Sequence, residues 1–226
     1  GNPVTSGNVT VTAGAASKLA ITTQPVGGAS GAVLSTQPVI QVRDAQDNLI
    51  TGSTASVSVV IKTGTGGTLG GTTSVAAVGG IATFTNLTLA GTVGENYTLE
   101  FSSSGLAPVT SSNVTVTAGS PAQLTITTQP VGGASGAVLS TQPVIAIRDA
   151  QGNLTGSTAS VSVAIKTGTG GTLGGTTSVT AVAGTATFTN LTLAGTVGEN
   201  YTLEFTSAGL TAVTSSNVTV TAGSPS

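Results

Sequence analysis

Three oxygen-bearing side chains stand close together in "RDAQDN": Asp44, Asp47 and Asn48. Carboxylate and amide oxygens at such spacing are the donors calcium prefers, although that ion gathers about six to eight of them. The motif returns as "RDAQGN", with Gly152 where the second carboxylate should be, so these residues are only weak metal candidates. Asp, Asn and Gly favour tight connections and positive φ, and a turn suits both copies. No metal and no cofactor is expected. Lys62 and Glu100, with Asn and Asp elsewhere, are the ingredients of a spontaneous Lys–Asn isopeptide bond. That chemistry needs a buried, neutral lysine beside a protonated acid. Both residues fall on outward strand positions, where a solvated pair worth at most about 1 kcal/mol is expected instead. Glu95 and Glu100 are a carboxylate pair of the kind glycosidases use, but one sits on a turn and the other on a strand, so they point differently. Repeated Asn-x-Thr triplets at Asn86, Asn96 and Asn113 are potential glycan acceptors, and such triplets also arise by chance in so Thr-rich a chain.

Composition removes most other chemistry. The chain has no His, no Cys and no Trp, which excludes Ser-His-Asp and Cys-His arrangements, disulfides and thiolate metal sites. Enzymatic activity is therefore not expected. Charged residues make up 5% of the sequence and the net charge is −2, so nothing here attracts nucleic acid or an anionic bilayer. No run approaches the roughly 20 apolar residues of a membrane span. Thr, Ser, Asn and Gly must cover the surface, while Val, Ile and Leu supply a core suited to strands.

The residues must be positioned by a duplicated framework. "TTQPVGGASGAVLSTQPVI" begins at Thr22 and again at Thr127, and Ile50 has no counterpart in the second copy. Residues 15–119 and 120–226 are read as two repeats, differing by sixteen substitutions and one deletion over the aligned span. "NVTVTAG" occurs a third time, at Asn8 to Gly14, so residues 1–14 read as the last strand of a preceding repeat, frayed without its neighbours or received by another subunit.

Within a repeat the apolar residues recur at period 2, the mark of strands with one buried face. Val57, Val59 and Ile61 share one side of "SVSVVIK"; Tyr97, Leu99 and Phe101 share one side of "YTLEF"; Val114 and Val116 face inward from "NVTVT". In "IATFTNLTL" the inward set shifts from Ala82 and Phe84 to Leu87 and Leu89, and a bulge near Thr85 and Asn86 is expected there. Together with the other alternating segments these give about seven main strands per repeat, and "VLS" adds a short one. This predicts an all-β chain of tandem immunoglobulin-like β-sandwiches. Tyr97 and its counterpart Tyr201 read as structural residues. Each is either a tyrosine corner tying down the preceding loop or an aromatic filling the end of the sandwich.

"LAITTQPVGGASGAVLSTQPVIQVRDAQDN", "GGTLGGTTSVAAVGGIATFTNLTLAGTVGENYTLEF" and "SSGLAPVTSSNVTVTAG" resemble the bacterial immunoglobulin-like repeats of large secreted surface proteins and adhesins, of the invasin and intimin type. The resemblance covers nearly the whole chain. It implies an extracellular, cell-surface or secreted location, neighbouring repeats as partners, and a structural role in an adhesin stalk, filament or surface layer. The sparse charge adds an expectation of self-association into a fibre or array. The alternative expectation is a carbohydrate- or protein-binding adhesive module, which would need an aromatic ring exposed in a groove.

Overall fold

Alternating Val, Ile and Leu with short hydroxylated residues build strands throughout, and the computed structural model describes residues 1–223 without a helix. Among the described residues no helix is therefore available to cross a membrane. The chain divides between Thr117 and Ala118 into two units. Both are all-β sandwiches of immunoglobulin-like type, made of several antiparallel sheets.

In the first unit the strands are β1 (Lys18–Thr23), β2 (Val39–Arg43), β3 (Ser56–Thr63), β4 (Thr68–Gly70), β5 (Ser74–Ala76), β6 (Ile81–Thr83), β7 (Thr88–Ala90), β8 (Thr98–Ser102) and β9 (Val109–Thr110). They form the sheets β1-β2-β6 and β5-β3-β8-β9 and the two-stranded antiparallel sheet β4-β7. Registers are antiparallel: Leu19 opposes Val42, Ile40 opposes Ala82, and Val59 opposes Phe101. One sheet buries Leu19, Ile40, Val42 and Ala82, and the other buries Val57, Val59, Leu99 and Phe101 in the same core. Phe84, just beyond β6, meets Phe101 of β8 edge to face at 5.6 Å, joining the two layers. Each fully buried Leu, Ile or Phe contributes roughly 1.5–3 kcal/mol.

The second unit repeats this plan with β10 (Gln123–Thr128), β11 (Val144–Arg148), β12 (Ser160–Thr167), β13 (Thr172–Gly174), β14 (Ser178–Thr180), β15 (Thr185–Thr187), β16 (Thr192–Ala194), β17 (Thr202–Thr206) and β18 (Val213–Thr214). Its sheets are β10-β11-β15, β14-β12-β17-β18 and β13-β16. Phe188 and Phe205 again meet edge to face at 5.6 Å.

Three sequence expectations need correction. The phase shift in "IATFTNLTL" is a change of sheet and not a bulge: β6 pairs with β2, whereas β7 pairs with β4. Between them Leu87 lies outside both ladders: its C=O accepts from Leu34 N–H at 2.9 Å, and Gln37 supplies the partner its N–H lacks. Its Oε1 accepts from Leu87 N–H at 2.9 Å and its Nε2 donates to Leu87 C=O at 3.0 Å. "VLS" is not a strand, since Val33 makes only a single bridge, to Thr88. "NVTVT" likewise closes the unit through isolated bridges, Tyr97 to Val114 and Ala29 to Thr117, because it threads between two elements and pairs continuously with neither. Residues 1–14 belong to no sheet and are exposed along their length.

Candidate functional site

Asp44 directly follows β2 and its side chain turns inward, leaving it 2% exposed. A buried carboxylate must be compensated, and here four N–H groups do so. Oδ1 accepts from the backbone of Gln46 at 3.0 Å and of Asn48 at 2.8 Å. Oδ2 accepts from the Asn48 side-chain amide at 2.9 Å and from Gly14 N–H at 2.8 Å. Asp149 repeats the arrangement with Gln151, Asn153 and Gly119. Each aspartate thus folds its own turn and fastens the segment that enters its unit.

The Asn48 amide, followed by Gly14 N–H, holds the Asp44 carboxyl well below the usual range, at about 2, against an opposing push from burial. For Asp149 burial is the largest influence and raises the pKa, but the Asn153 side chain and the N–H groups of Gly119, Asn153 and Gln151 together outweigh it, so the net direction is down. A carboxyl whose folded pKa lies below its unfolded value stabilises the fold above the ordinary aspartate pKa of about 3.9, and that stability disappears as pH falls toward the folded pKa. Thermal melts should therefore be flat from about pH 7 to 5 and drop between about pH 4 and 2. The double substitution Asp44→Asn, Asp149→Asn should lower the melting temperature at neutral pH and flatten this acid drop. An equally steep drop in the double variant would remove these aspartates as its cause.

Asp47 does not join Asp44. Its side chain turns away, to Lys18 Nζ at 3.0 Å and Arg43 Nη1 at 3.6 Å, and hydrogen bonding with Lys18 lowers its pKa. Its backbone is left-handed, with φ of 68°, and Gly152 takes φ of 83° at the matching place. The three oxygen-bearing residues do not converge on a common centre, and the lone pairs of Asp44 are directed at N–H donors.

The copies exchange residues in concert here. Where Lys18 is replaced by Gln123 and Asp47 by Gly152, Gln123 Nε2 donates to Asp149 C=O at 2.9 Å. Arg148, released from a carboxylate, donates to Thr125 Oγ1 and to Gly152 C=O, both at 2.8 Å. Asp47→Gly should consequently shift the melting temperature of the first unit by no more than about 2 °C, because lost surface ion pairs offset relief of the left-handed strain. A loss above about 5 °C in calorimetry would show that the ion pairs matter more than solvent screening permits.

Tyr97 and Tyr201 are fully buried. The Tyr97 hydroxyl accepts from Thr92 N–H at 2.9 Å and donates to Thr65 C=O at 2.9 Å. Tyr201 does the same with Thr196 and Thr169. Lys62 Nζ meets Glu100 Oε2 at 2.5 Å and Thr110 Oγ1 at 3.1 Å on the exposed face of β3, β8 and β9, and Lys166 meets Glu204 and Thr214 similarly. This is the solvated pair expected of outward positions. Glu95 accepts from Thr65 N–H, so it serves a loop and stands apart from Glu100. Asn86 is exposed, and its side-chain oxygen accepts from Thr72 N–H. Phe84, Phe101 and their counterparts are buried, leaving no phenylalanine ring face to stack on a sugar.

A groove missed in the sequence receives the closing segment. Val114 exchanges both backbone hydrogen bonds with Tyr97, at 3.0 and 2.7 Å, on one side. On the other, Thr117 N–H donates to Gly28 C=O at 3.0 Å and its C=O accepts from Ser30 N–H at 2.8 Å. A Cβ on Gly27 would lie 1.7 Å from Thr115 O, and one on Gly132 would lie 1.7 Å from Thr219 O. The "PVGG" that follows each first strand was the available signal, since glycine there marks a close backbone approach.

The chain matches no protein-family profile and no curated protein sequence. Among solved structures it is similar to FdeC, an adhesin of Escherichia coli, at 22% identity, covering 96% of this chain and 68% of that one with a TM-score of 0.37. It is similar to the adhesin InvE of Yersinia pseudotuberculosis at 15% identity, covering 89% of this chain and 58% of InvE with a TM-score of 0.35. A β-glycosidase from Bacteroides vulgatus is similar at 14% identity, over 90% of this chain but 24% of the enzyme, with a TM-score of 0.33. The chain thus spans little more than half of InvE and about a quarter of the glycosidase.

Proposed function

We propose that this chain is a structural, non-catalytic tandem-repeat segment of an extracellular surface protein, serving in an adhesin stalk, a filament or a surface layer. The observation that carries the reading is the commitment of its charge. All seven acidic and all five basic side chains are hydrogen-bonded or ion-paired inside their own unit, and the charged positions the repeats share, Arg43 and Arg148 apart, make the same bonds in both. Groups spent on holding turns and strand faces are not poised for a substrate. Identical commitments in successive units are what a load-transmitting array needs, since each module must be stable by itself and extendable by duplication.

One compositional fact supports the partner. With 5% charged residues the surface repels copies of itself weakly, so neighbouring repeats and further copies of the chain are its partners. Immunogold labelling of intact cells, with an antibody raised against the chain, tests the reading. Label along fibres or a lattice outside the cell is the expected result. Label confined to the cell interior, or saturable capture of a glycan by the purified chain, would overturn it.

A further inference from the structure

In each unit the segment that enters the sandwich and the segment that leaves it lie side by side and run the same way. In the first unit Lys18 bridges Ala107 and Ala29 bridges Thr117, both in parallel. Between these points the Gln24 side chain reaches across, its Oε1 accepting from Ser112 N–H at 3.1 Å and from Ser112 Oγ at 3.3 Å. The steps along the two segments match. From Lys18 to Gln24 is six residues against five from Ala107 to Ser112, the extra one taken up by the bulge between Ile21 and Thr23, and from Gln24 to Ala29 is five against five. We propose that this parallel seam is a mechanical clamp: tension along the chain loads it in shear, so that each unit resists being pulled open, with Gln24 and Gln129 as load-bearing rungs. The inference deepens the structural reading above by naming how a unit carries tension.

Strand direction decides how the seam meets tension. The chain enters at Ser17, at one end of the seam, and leaves at Thr117, at the other. A pull on the two draws the segments past each other, and every bond across the seam strains at once. These are Ala107 N–H to Ser17 C=O at 2.9 Å, Leu19 N–H to Ala107 C=O at 3.0 Å, the pair to Gln24, Thr117 N–H to Gly28 C=O at 3.0 Å and Ser30 N–H to Thr117 C=O at 2.8 Å. Antiparallel neighbours joined end to end would instead open one bond at a time. Neither side of the seam can slide freely, because β1 is also paired with β2, and the closing segment with β8 through Val109 and with Tyr97 through Val114. Pro25 accounts for the glutamine: proline has no N–H to offer a ladder, and its neighbour's side chain supplies the link at mid-seam. The second unit repeats the arrangement. Gln123 bridges Thr211, Ala134 bridges Thr221, and Gln129 Oε1 accepts from Ser216 N–H at 3.1 Å and from Ser216 Oγ at 3.3 Å. Gln24 and Gln129 are both exposed, so neither fills the core.

Optical-tweezers measurements on the whole chain test the clamp. Pulled by its two ends, the chain should lengthen in two steps of about 30 nm, one per unit, since shearing a seam releases about a hundred residues at roughly 3.3–3.6 Å each. The chain has no cysteine, so handles can be placed by substitution. Ala16→Cys with Ala45→Cys, both exposed, grips the adjacent ends of β1 and β2, where Lys18 opposes Arg43, and peels the first strand away rung by rung. The first unit should yield at a markedly lower force in that geometry than under chain-end load. Forced unfolding is governed by the unfolding barrier, and a contact broken at that barrier acts on the unfolding rate. Gln24→Ala with Gln129→Ala should therefore shorten the lifetime of both units under chain-end load about fivefold, the net contribution of one ordinary hydrogen bond. Gln37→Ala with Gln142→Ala removes bonds to Leu87 and Leu191, away from the seam. It should lower the melting temperature and leave the lifetime under load unchanged.

A peeling force no lower than the chain-end force would overturn the clamp. So would a Gln24→Ala, Gln129→Ala chain that lives as long under load as the wild type, or one whose loss of lifetime the Gln37→Ala, Gln142→Ala chain equals. Those outcomes leave the surface role standing, which is decided by where antibody binds. Label inside the cell would sink that role while leaving the clamp intact.

Discussion

Substituting Gly132→Ala, one methyl group, should cost the second unit about 3–5 kcal/mol and lower its thermal transition by on the order of 20 °C, while the first unit melts unchanged. The added Cβ would stand 1.7 Å from the carbonyl oxygen of Thr219 and 2.8 Å from its carbon, distances that no rotamer change relieves because both atoms are backbone. Either the closing segment retreats, exposing Val218 and Val220, or the Gly132–Ser135 loop moves and releases the hydrogen bonds it makes to Thr221. Both routes open the sandwich along one side. The matched control is Gly156→Ala, where an added Cβ meets nothing within 4 Å and the change should stay within about 0.5 kcal/mol. Differential scanning calorimetry of the whole chain separates the units, because only one carries the substitution. A Gly132→Ala profile that overlays the wild type would mean that the groove has slack that its geometry does not show.

How much of this was legible in the sequence depends on the distance over which each feature acts. Period 2 identified the buried faces of "SVSVVIK" and "YTLEF", because a strand's pleat is a local property and one face of each sheet meets the core. The same periodicity could not say which sheet a strand joins. Ala82 and Leu89 both point inward, but from different sheets, and the chain's passage between them is supported by Gln37, distant in sequence. Asp44 was visible as a turn residue, since its bonds to Gln46 and Asn48 are local; its bond to Gly14 spans thirty residues and has no local signature. The paired differences Lys18 to Gln123 and Asp47 to Gly152 were on the page, and comparing the copies for coupled changes would have placed those side chains together. For "NVTVT", alternation showed which residues are buried but not that the segment closes the unit by isolated bridges, because continuous pairing depends on two neighbours remote in sequence.

Tyr97→Phe isolates a single oxygen atom and should destabilise the first unit by about 2–3 kcal/mol, with Tyr201→Phe doing the same to the second. The ring would remain, filling the space bounded by Gly64, Gly67 and Gly91, where any Cβ would fall within 2.8 Å of its atoms. What disappears is a hydroxyl that serves two loops at once, accepting from Thr92 N–H and donating to Thr65 C=O. Removing it strands one donor and one acceptor at part-buried positions, and an unsatisfied buried polar group costs more than the net worth of the bond it made. The Thr65 loop is also held by Glu95, whose Oε1 accepts from Thr65 N–H at 3.1 Å. Losing the tyrosine hydroxyl should therefore loosen that loop without unfolding it, and faster amide exchange should be concentrated at Thr92 and its neighbours. Tyr97→Ala, by contrast, empties the volume of the largest buried ring in the unit and should cost about 3–5 kcal/mol. The ordering of the two variants carries the test. A hydroxyl that ties loops together makes Tyr97→Phe distinctly less stable than wild type, with local exchange at Thr92. A ring that merely fills the end of the sandwich leaves Tyr97→Phe within about 0.5 kcal/mol of wild type and reserves the loss for Tyr97→Ala.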